Sequence, residues 1–403
     1  MKQNSSFLLK EIAGIPYLLP FGQMIANHRR GLKTNSTGVY LWNLLKEEHS
    51  LEEVISSCAN FYEISADELP EFRKDIADFT EQLYSFGILV EKENPADTSS
   101  VINELHASRK KSRSGYPTPF PKSALETKTL SIGGLNLCYA GPLGAFPPDL
   151  SDFICNAVPT HQEIHLHSSL PADIPSGQAL LHNFELNILE QEHQYILHFP
   201  TAKKHLEIHL HKDGSCAHCY SLPPYDEAFH YDFFHALRLA YLYLAQKHGM
   251  VALHSSSILY KDKLWLFSGH SGMGKSTHTN LWKEHFGTPV INGDLNLLAM
   301  KNGQPVVHGI PWCGTSGIYD VKTYPLGGII LVNRSATDYT MELPLDEKLL
   351  LVSQRLISPS WTKKQWEANM DIVEQITKDI FICKLYCTKE KNAVEVMKKK
   401  LDE

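Results

Sequence analysis

The chain lacks the sequence features of secreted, membrane-spanning and nucleic-acid-binding proteins. Its N-terminus, Met1-Lys2-Gln3-Asn4, has no signal-peptide core, and no apolar run approaches the roughly 18 residues of a membrane span. It also lacks a positive charge excess, because the net charge is −7. Its eight cysteines are scattered, and only Cys216-Ala217-His218-Cys219 has close spacing. We therefore predict a cytoplasmic protein with free thiols and without a nucleic-acid or membrane partner.

The composition is that of an ordinary soluble protein, and the chain is too long for a single hydrophobic core. The chain has 403 residues, of which 43% are apolar and 21% charged. A single hydrophobic core rarely serves a chain of this length, so two or three domains are expected.

One segment carries a strong motif. Gly269-His270-Ser271-Gly272-Met273-Gly274-Lys275-Ser276 fits the phosphate loop G-x-x-x-x-G-K-[ST], and residues 263–267 and 277–284 read as the strand and helix that should flank it. Glycines let successive N–H groups point at phosphate oxygens. Lys275 would reach the terminal phosphates and the Ser276 hydroxyl would bind Mg²⁺. The predicted ATP-binding residues are Gly269, Ser271, Gly272, Gly274, Lys275, Ser276 and Thr277.

Two further side chains complete the predicted active site. Residues 289–294 form an apolar run that closes on Asp294, where a second metal ligand is expected; the alternative is a turn residue. His254 precedes the strand that leads into the loop and suits proton transfer or phosphate binding, although an isolated histidine is often structural. Downstream, Trp312 and Cys313 either line an acceptor pocket or pack in the core, and Arg334 and Arg355 either offset phosphoryl charge or lie at the surface.

The order of these motifs resembles a known kinase family. Leu253-His254-Ser255-Ser256, the phosphate loop and Asn292-Gly293-Asp294 resemble the HPr kinase/phosphorylase family on the phosphoenolpyruvate carboxykinase scaffold, over roughly residues 128–403. Small members of this group look like serine kinases of ribosomal peptides. The resemblance implies that His254, Lys275 and Asp294 are catalytic and that Ser276 and Asp294 bind Mg²⁺. The family usually has two adjacent acids where this chain has Gly293-Asp294, which puts full activity in question.

The first 93 residues resemble a second family. Residues 7–12, 17–21 and 23–27 read as strands, and three helices follow, two of them behind the capping-box sequences Ser50-Leu51-Glu52-Glu53 and Ser65-Ala66-Asp67-Glu68. With the run 35–42, this order resembles the PqqD-like peptide-recognition domains. The resemblance implies that a leader peptide adds a strand to an open sheet edge. The alternative is a domain that only packs on the kinase or regulates it.

The middle of the chain has weaker signals. Residues 94–127 are predicted to be a linker that contains a solvated basic cluster, 109–113, and ends in Pro117, Pro119 and Pro121. Between residues 128 and 224 the pattern is that of strands, which are predicted over 129–139, 163–167, 186–189, 195–199 and 205–211. Residues 226–248 read as a long helix. The sequence Glu-Ile-His-Leu-His occurs at 163–167 and at 207–211. These residues, with Cys216 and Cys219, suggest a metal site, but strand alternation alone explains the repeats and is preferred.

These observations predict an α/β protein, α+β overall. Its parts are a winged-helix-type PqqD-like domain (1–93), the linker (94–127), a β-rich lobe with a connecting helix (128–252) and a P-loop HPr kinase-like domain (253–403). The expected activity is ATP- and Mg²⁺-dependent phosphorylation of a Ser or Thr of a ribosomally made precursor peptide. The alternatives are a nucleotide-binding escort without transfer activity, and a kinase of a carrier protein or free serine. Pyrophosphate as donor and homo-oligomer formation stay open.

Overall fold

The computed structural model describes residues 1–92, 96–114, 124–156 and 159–403, and the linker residues Pro117, Pro119 and Pro121 lie outside these ranges. Helices and sheets alternate through the described chain, which confirms the predicted mixed α/β class. None of the helices in these ranges combines the length and the apolar character that a membrane crossing requires.

The first unit combines small sheets with a helical core. A three-stranded antiparallel sheet has the order β2-β3-β4, and β1 pairs with β5. The elements are β1 (Lys2–Gln3), β2 (Phe7–Ile12), β3 (Ile15–Pro20), α1 (Gln23–Ala26), β4 (Leu32–Lys33), α2 (Ser36–Leu44), α3 (Leu51–Phe61), α4 (Leu69–Ser85) and β5 (Leu89–Val90).

Helices α2 and α3 of this unit begin at the N-cap residues that the sequence predicts. The Asn35 side chain accepts a hydrogen bond from the Gly38 amide and begins α2, and Ser50 and Glu53 form the predicted capping box of α3. The prediction of a strand over residues 23–27 is wrong, because these residues form α1 and the third strand is β4. At the second predicted capping box, Ser65 donates to Glu68 in a turn that precedes α4.

The prediction of a linker over residues 94–127 is wrong for its central part. Residues Thr98–Arg113 form a 16-residue helix, α5, with Asp97 as its N-cap. Its apolar side chains Val101 and Leu105 pack against Leu189 and Ile196 of the following sheet. The region is therefore an integral element of the fold.

An eight-stranded sheet follows, in the order β6-β7-β8-β13-β12-β11-β10-β9. Its strands are β6 (Leu125–Ile132), β7 (Leu135–Pro142), β8 (Gln162–His167), β9 (Gln178–His182), β10 (Asn187–Glu190), β11 (Gln194–His198), β12 (Glu207–His211) and β13 (Cys216–Tyr220). The apolar run 129–139 is a hairpin rather than one strand, because Gly133 and Gly134 adopt positive φ and turn the chain. Strands β9 and β13 were not predicted.

The long helix α6 (Glu227–Lys247) is confirmed and covers one face of this sheet. Asp226 caps its first turn. Its residues Phe229, Phe233, Leu237 and Leu244 share a core with the strand residues that point to the same side.

The last unit is built on a second, mixed sheet in the order β15-β14-β17-β18-β19-β21-β20, in which β19 also pairs in parallel with β15 and β21. Its elements are β14 (Val251–Tyr260), β15 (Lys263–Ser268), α7 (Lys275–Phe286), β16 (Val290–Asn292), β17 (Leu295–Lys301), β18 (Gln304–His308), β19 (Thr323–Arg334), β20 (Tyr339–Glu342), α8 (Leu345–Ser353), α9 (Lys363–Thr377), β21 (Phe381–Cys387) and α10 (Lys391–Asp402).

The N-terminal sheet is part of the core of this last unit. Leu8, Ile12 and Leu19 are buried together with residues of β14, β19 and α9. The buried Tyr17 hydroxyl donates to the Asp346 carboxylate at 2.6 Å. The first and last parts of the chain therefore share one hydrophobic core.

Candidate functional site

The predicted phosphate loop lies between a strand and a helix, as the motif requires. Strand β15 ends at Ser268 and α7 begins at Lys275, so residues 269–274 connect a buried strand to a helix N-terminus. Gly272 and Gly274 have φ angles of 75° and 101°, which favour glycine at both positions. The backbone thus turns tightly where phosphate oxygens would approach, and the positive end of the α7 dipole faces the same place.

The Lys275 side chain is 7% exposed and folds back over the loop. Its ammonium group donates to the carbonyl oxygens of Gly269 at 3.2 Å and His270 at 3.4 Å. Burial lowers the pKa of Lys275, the positive charge of Arg355 lowers it further, and Asp294 opposes both. The lysine is held at the mouth of the loop, whereas Ser276 and Thr277 are exposed in the first turn of α7.

The structure brings His254 and Asp294 into contact. His254 Nε2 lies 3.2 Å from Asp294 Oδ1, and the two side chains are 29% and 37% exposed. Their approach follows from strand pairing, because His254 on β14 lies opposite Leu295 at the start of β17. The hydrogen bond from His254 lowers the pKa of Asp294, an effect that burial opposes and that the charges of Arg238 and Lys275 reinforce. Asp294 is therefore a carboxylate at neutral pH.

There is no room for a second acid beside Asp294. A Cβ atom on Gly293 would lie 2.1 Å from Ser316 Oγ and 2.4 Å from Ser316 Cβ. Ser316 is fixed, since its hydroxyl donates to the Cys313 carbonyl at 2.7 Å. The turn of residues 313–317 thus fills the space in which a side chain at position 293 would lie.

Two residues that the sequence left open lie in the interior. Trp312 is 2% exposed, packs against Phe234 and Tyr241, and donates its ring N–H to the Phe234 carbonyl at 3.0 Å. Cys313 is 7% exposed, and burial raises the pKa of its thiol. The core interpretation of Trp312 is confirmed, and Cys313 is not an activated thiolate.

Several cations surround the loop, and two of them escaped the sequence analysis. The charge of Arg355 is the largest cause of the lowered pKa of His270, with burial and the charge of Arg30 adding to it. Arg334 donates to the Gly272 carbonyl. Burial lowers the pKa of Arg238, while the Asp294 carboxylate opposes that shift. Arg30 comes from the N-terminal unit and Arg238 from α6, both outside the motif.

One signal would have identified Arg238. It is the one charged residue in the otherwise apolar or uncharged stretch 236–246 of α6. A cation buried on such a helix needs a partner of opposite charge. Arg30, by contrast, lies in an ordinary polar segment, and nothing in its sequence surroundings indicates the phosphate loop.

Comparison with known proteins identifies one segment of the chain. Residues 23–89 match the model of the family described as coenzyme PQQ synthesis protein D (PqqD). The predicted PqqD-like resemblance is confirmed for this segment. No curated protein matches the chain. Among solved structures, the Hpr(Ser) kinase/phosphatase from Coxiella burnetii is similar at 11% identity, over 38% of this chain and 99% of that chain, with a TM-score of 0.23. A TM-score of this size is too low to establish a shared fold.

The PqqD-like segment contains a strand with an unpaired edge. Within the described ranges, β4 pairs with β3 alone. Since the Thr34 amide donates to the Pro16 carbonyl, the alternation of an antiparallel pair turns the N–H and C=O groups of Lys33 away from β3. Lys33 is exposed. Its main-chain groups are placed to pair with an added strand.

Proposed function

We propose that the chain is an ATP-dependent kinase that phosphorylates a Ser or Thr hydroxyl of a ribosomally made precursor peptide, with the leader of that peptide bound by the N-terminal unit. The observation that carries the proposal is the His254–Asp294 pair at 3.2 Å beside a phosphate loop rich in cations. The charge of Asp294 also opposes the lowering of the Lys275 pKa, so the pair and the loop lysine interact electrostatically.

Charge and position give each residue of the site a proposed role. Lys275, Arg355 and Arg30 form a positive field that suits a triphosphate. The exposed Ser276 hydroxyl and the ionised Asp294 carboxylate offer the oxygen ligands that Mg²⁺ prefers. They would hold Mg²⁺, which supplies charge neutralisation on the β- and γ-phosphates when bound.

His254 is the proposed general base. Its Nε2 is turned to Asp294, so Nδ1 is the nitrogen that accepts the proton of the substrate hydroxyl. The hydroxyl oxygen attacks the γ-phosphorus, the bond from that phosphorus to the β–γ bridging oxygen breaks, and ADP leaves. The negative charge of Asp294 stabilises the imidazolium that forms, as in other carboxylate–histidine pairs.

The PqqD match and the open edge of β4 support the peptide part of the proposal. A peptide held on this edge brings its core to the kinase at a local concentration on the order of millimolar. A catalytic pocket with little sequence preference then remains selective. The same edge carries Lys33, whose side chain lies 3.4 Å from Asp346 of the kinase unit.

A second function, a nucleotide-binding escort without transfer activity, is favoured by one observation. Ser316 occupies the space that a second acid at position 293 would need. In that case ATP binding would control the orientation of the N-terminal unit. A kinase that acts on a carrier protein or on free serine is the third candidate.

A proline substitution separates these functions. Lys33→Pro removes the outward N–H that an added strand would use, whereas Lys33→Ala removes the side chain and keeps that N–H. The purified chain is incubated with γ-labelled ATP, Mg²⁺ and the short peptide encoded beside its gene. We expect labelled peptide with the wild type and with Lys33→Ala. Lys33→Pro should bind the peptide roughly 2- to 13-fold more weakly, because one neutral hydrogen bond worth about 0.5 to 1.5 kcal/mol is lost.

Other outcomes select the other candidates. ATP binding without label on any acceptor supports the escort. Label on free serine or a carrier protein, equal in both Lys33 variants, supports the third candidate. Equal labelling of the peptide by both variants contradicts the assignment of the leader to β4.

A further inference from the structure

The outer face of the eight-stranded sheet carries a cluster of histidines, a cysteine and a glutamate that the kinase proposal does not use. On β13, Ala217 and Cys219 point into the core with exposures of 0%, so Cys216 and His218 point to the other side. The residues of β8 and β12 that pair with Cys216, His218 and Tyr220 lie on this same face of the sheet, as strand register requires. The outward residues are Glu163, His165 and His167 of β8, Cys216, His218 and Tyr220 of β13, and Glu207, His209 and His211 of β12.

Strand register places these side chains side by side. Cys216 lies directly opposite Glu163, and His218 lies opposite both His165 and His209. The same antiparallel register continued by one pair sets His211 beside Cys216. Neighbouring strands are about 4.8 Å apart, so cross-strand neighbours on one face are within reach of a shared ion.

The ligand atoms already lie close together. Those of His211, Cys216 and His218 are all within 4.8 Å of one another, and those of Glu163, His165 and Cys216 form a second such group. Cys216 belongs to both. Cys216 Sγ lies 3.5 Å from His218 Nε2. In a tetrahedral zinc site the ligand atoms are roughly 3.3 to 3.8 Å apart, as follows from bonds of about 2.0 to 2.3 Å, so this pair needs almost no movement.

Contacts with neighbouring histidines orient two of these side chains, His218 and Glu163. His218 Nδ1 lies 3.1 Å from His167 Nε2, which leaves His218 Nε2 directed at the cysteine. His165 Nε2 lies 3.0 Å from the Glu163 carboxylate. Metal-bound histidines and carboxylates usually have such outer partners.

We propose that His211, Cys216 and His218 bind one Zn²⁺ on the outer face of this sheet, and that the carboxylate of Glu163, which is grouped with the same Cys216, moves in as the fourth ligand. A thiolate with two imidazoles favours zinc over the oxygen-seeking Mg²⁺ and Ca²⁺. All four side chains are at least partly exposed, so the ion can enter from solvent. The site ties together three adjacent strands, β8, β13 and β12, whose order in the sequence is not consecutive.

The strand alternation explains why the sequence suggested a different set. Cys216 and Cys219 are three positions apart, a spacing at which two cysteines in a loop could bind one ion. On a strand the same spacing places their side chains on opposite faces. Cys219 is fully buried in the core. The partners of Cys216 come instead from β12 and β8.

Zinc binding by the full-length, tag-free chain tests this proposal. Zn²⁺ is titrated in competition with a chromophoric chelator, and Co²⁺ is used as a spectroscopic substitute. We expect one equivalent of Zn²⁺ per chain, a thiolate-to-Co²⁺ charge-transfer band, and a rise in melting temperature with Zn²⁺ concentration. His167→Ala, which removes only the outer partner of His218, should weaken binding roughly 10- to 100-fold.

Matched variants make the test specific. Cys216→Ser and His211→Ala should lose the stoichiometric site and the Co²⁺ band, while Cys155→Ser and the exposed His193→Ala should keep both. Circular dichroism of each variant checks that the fold is retained. Failure of the wild type to bind one equivalent of Zn²⁺, or unchanged binding in both Cys216→Ser and His211→Ala, would overturn the proposal.

Discussion

At the scale of single residues, the site rests on contacts that form between distant positions. His254 and Asp294 are 40 positions apart in the sequence but adjacent through the β14–β17 pair, with Nε2 and Oδ1 separated by 3.2 Å. Asp294 lies between two strands, so its backbone is held on both sides, and its carbonyl accepts from the Ser255 amide at 2.9 Å. The pair is therefore set by strand pairing rather than by flexible loops.

The crowded position of Gly293 leads to a stability prediction. Gly293→Asp should lower the free energy of unfolding by about 1 to 3 kcal/mol, because the new Cβ would overlap Ser316 Cβ and Oγ. Urea unfolding measures the loss. Adding Gly293→Asp to the Ser316→Gly variant should cost less free energy of unfolding than adding it to the wild type, because the overlapping side chain is gone. If the single substitution were neutral, the space beside Asp294 would be larger than the structure shows.

The residues of the site differ in how far the sequence predicts them. The phosphate loop is contiguous, so its glycines, Lys275 and Ser276 are read directly from the motif. His254 and Asp294 follow from the resemblance to the kinase family. The sequence marks Arg238 as a charged residue on an apolar helix but does not show its partner, and it marks Arg30 in no way. The approach of both to the loop depends on how α6 and the N-terminal unit pack.

At the scale of elements, helix α5 shows what a compositional reading overlooks. The cluster 109–113 looks like a solvated charge run, yet Arg109 is 2% exposed. Its guanidinium donates to Glu207 Oε2 at 2.8 Å and to the Asp173 carbonyl at 2.7 Å. Glu207 lies 98 positions away on β12 and is itself fully buried. The sequence around Arg109 does not indicate that Glu207 is its partner.

Breaking this ion pair should be costly. Arg109→Ala leaves the Glu207 carboxylate buried with only His205 and His209 as partners, and should lower the free energy of unfolding by about 3 to 5 kcal/mol. The adjacent exposed Lys110→Ala is the matched control and should cost less than about 0.5 kcal/mol. Urea unfolding at pH 7 compares the two. Equal small losses would place Arg109 at the surface.

The pair also predicts a pH dependence. Burial would raise the pKa of Glu207, but hydrogen bonds from His205, His209 and Arg109 outweigh it and hold the pKa well below 4.5. The resulting stabilisation is complete above pH 4.5 and is lost as the pH falls through the lower folded-state pKa. Arg109→Ala should therefore show a shallower loss of stability than the wild type when unfolding is measured below pH 4.5.

At the scale of the whole molecule, the N-terminal unit is not an independent appendage. The side chains of Leu8, Ile12 and Leu19 are buried in the core of the last unit, and Tyr17 donates to Asp346 of that unit. The sequence predicts α2, α3 and α4 of this unit, because their caps and apolar stripes are local, but it reads α1 as a strand. It does not predict the shared core, which depends on contacts more than 300 positions apart, such as the 329 between Tyr17 and Asp346.

The shared core predicts the result of a truncation. Removal of residues 1–93 should expose apolar surface of the last unit and yield aggregated or unfolded protein, as measured by size-exclusion chromatography and circular dichroism. A test of the proposed peptide binding thus needs point substitutions such as Lys33→Pro. A soluble, cooperatively folding fragment 94–403 would contradict the shared core.

The most direct test of the central claim is single-turnover transfer of the γ-phosphoryl group of ATP to the precursor peptide in the presence of Mg²⁺. The wild type and His254→Ala are compared at saturating ATP and peptide, with nucleotide affinity measured in parallel. We predict phosphoserine or phosphothreonine on the peptide and a rate about 10² to 10⁴ times lower in His254→Ala, at unchanged ATP affinity, because the variant lacks the general base. ATP binding without any transfer by the wild type, or transfer that is equally fast in His254→Ala, would contradict the account.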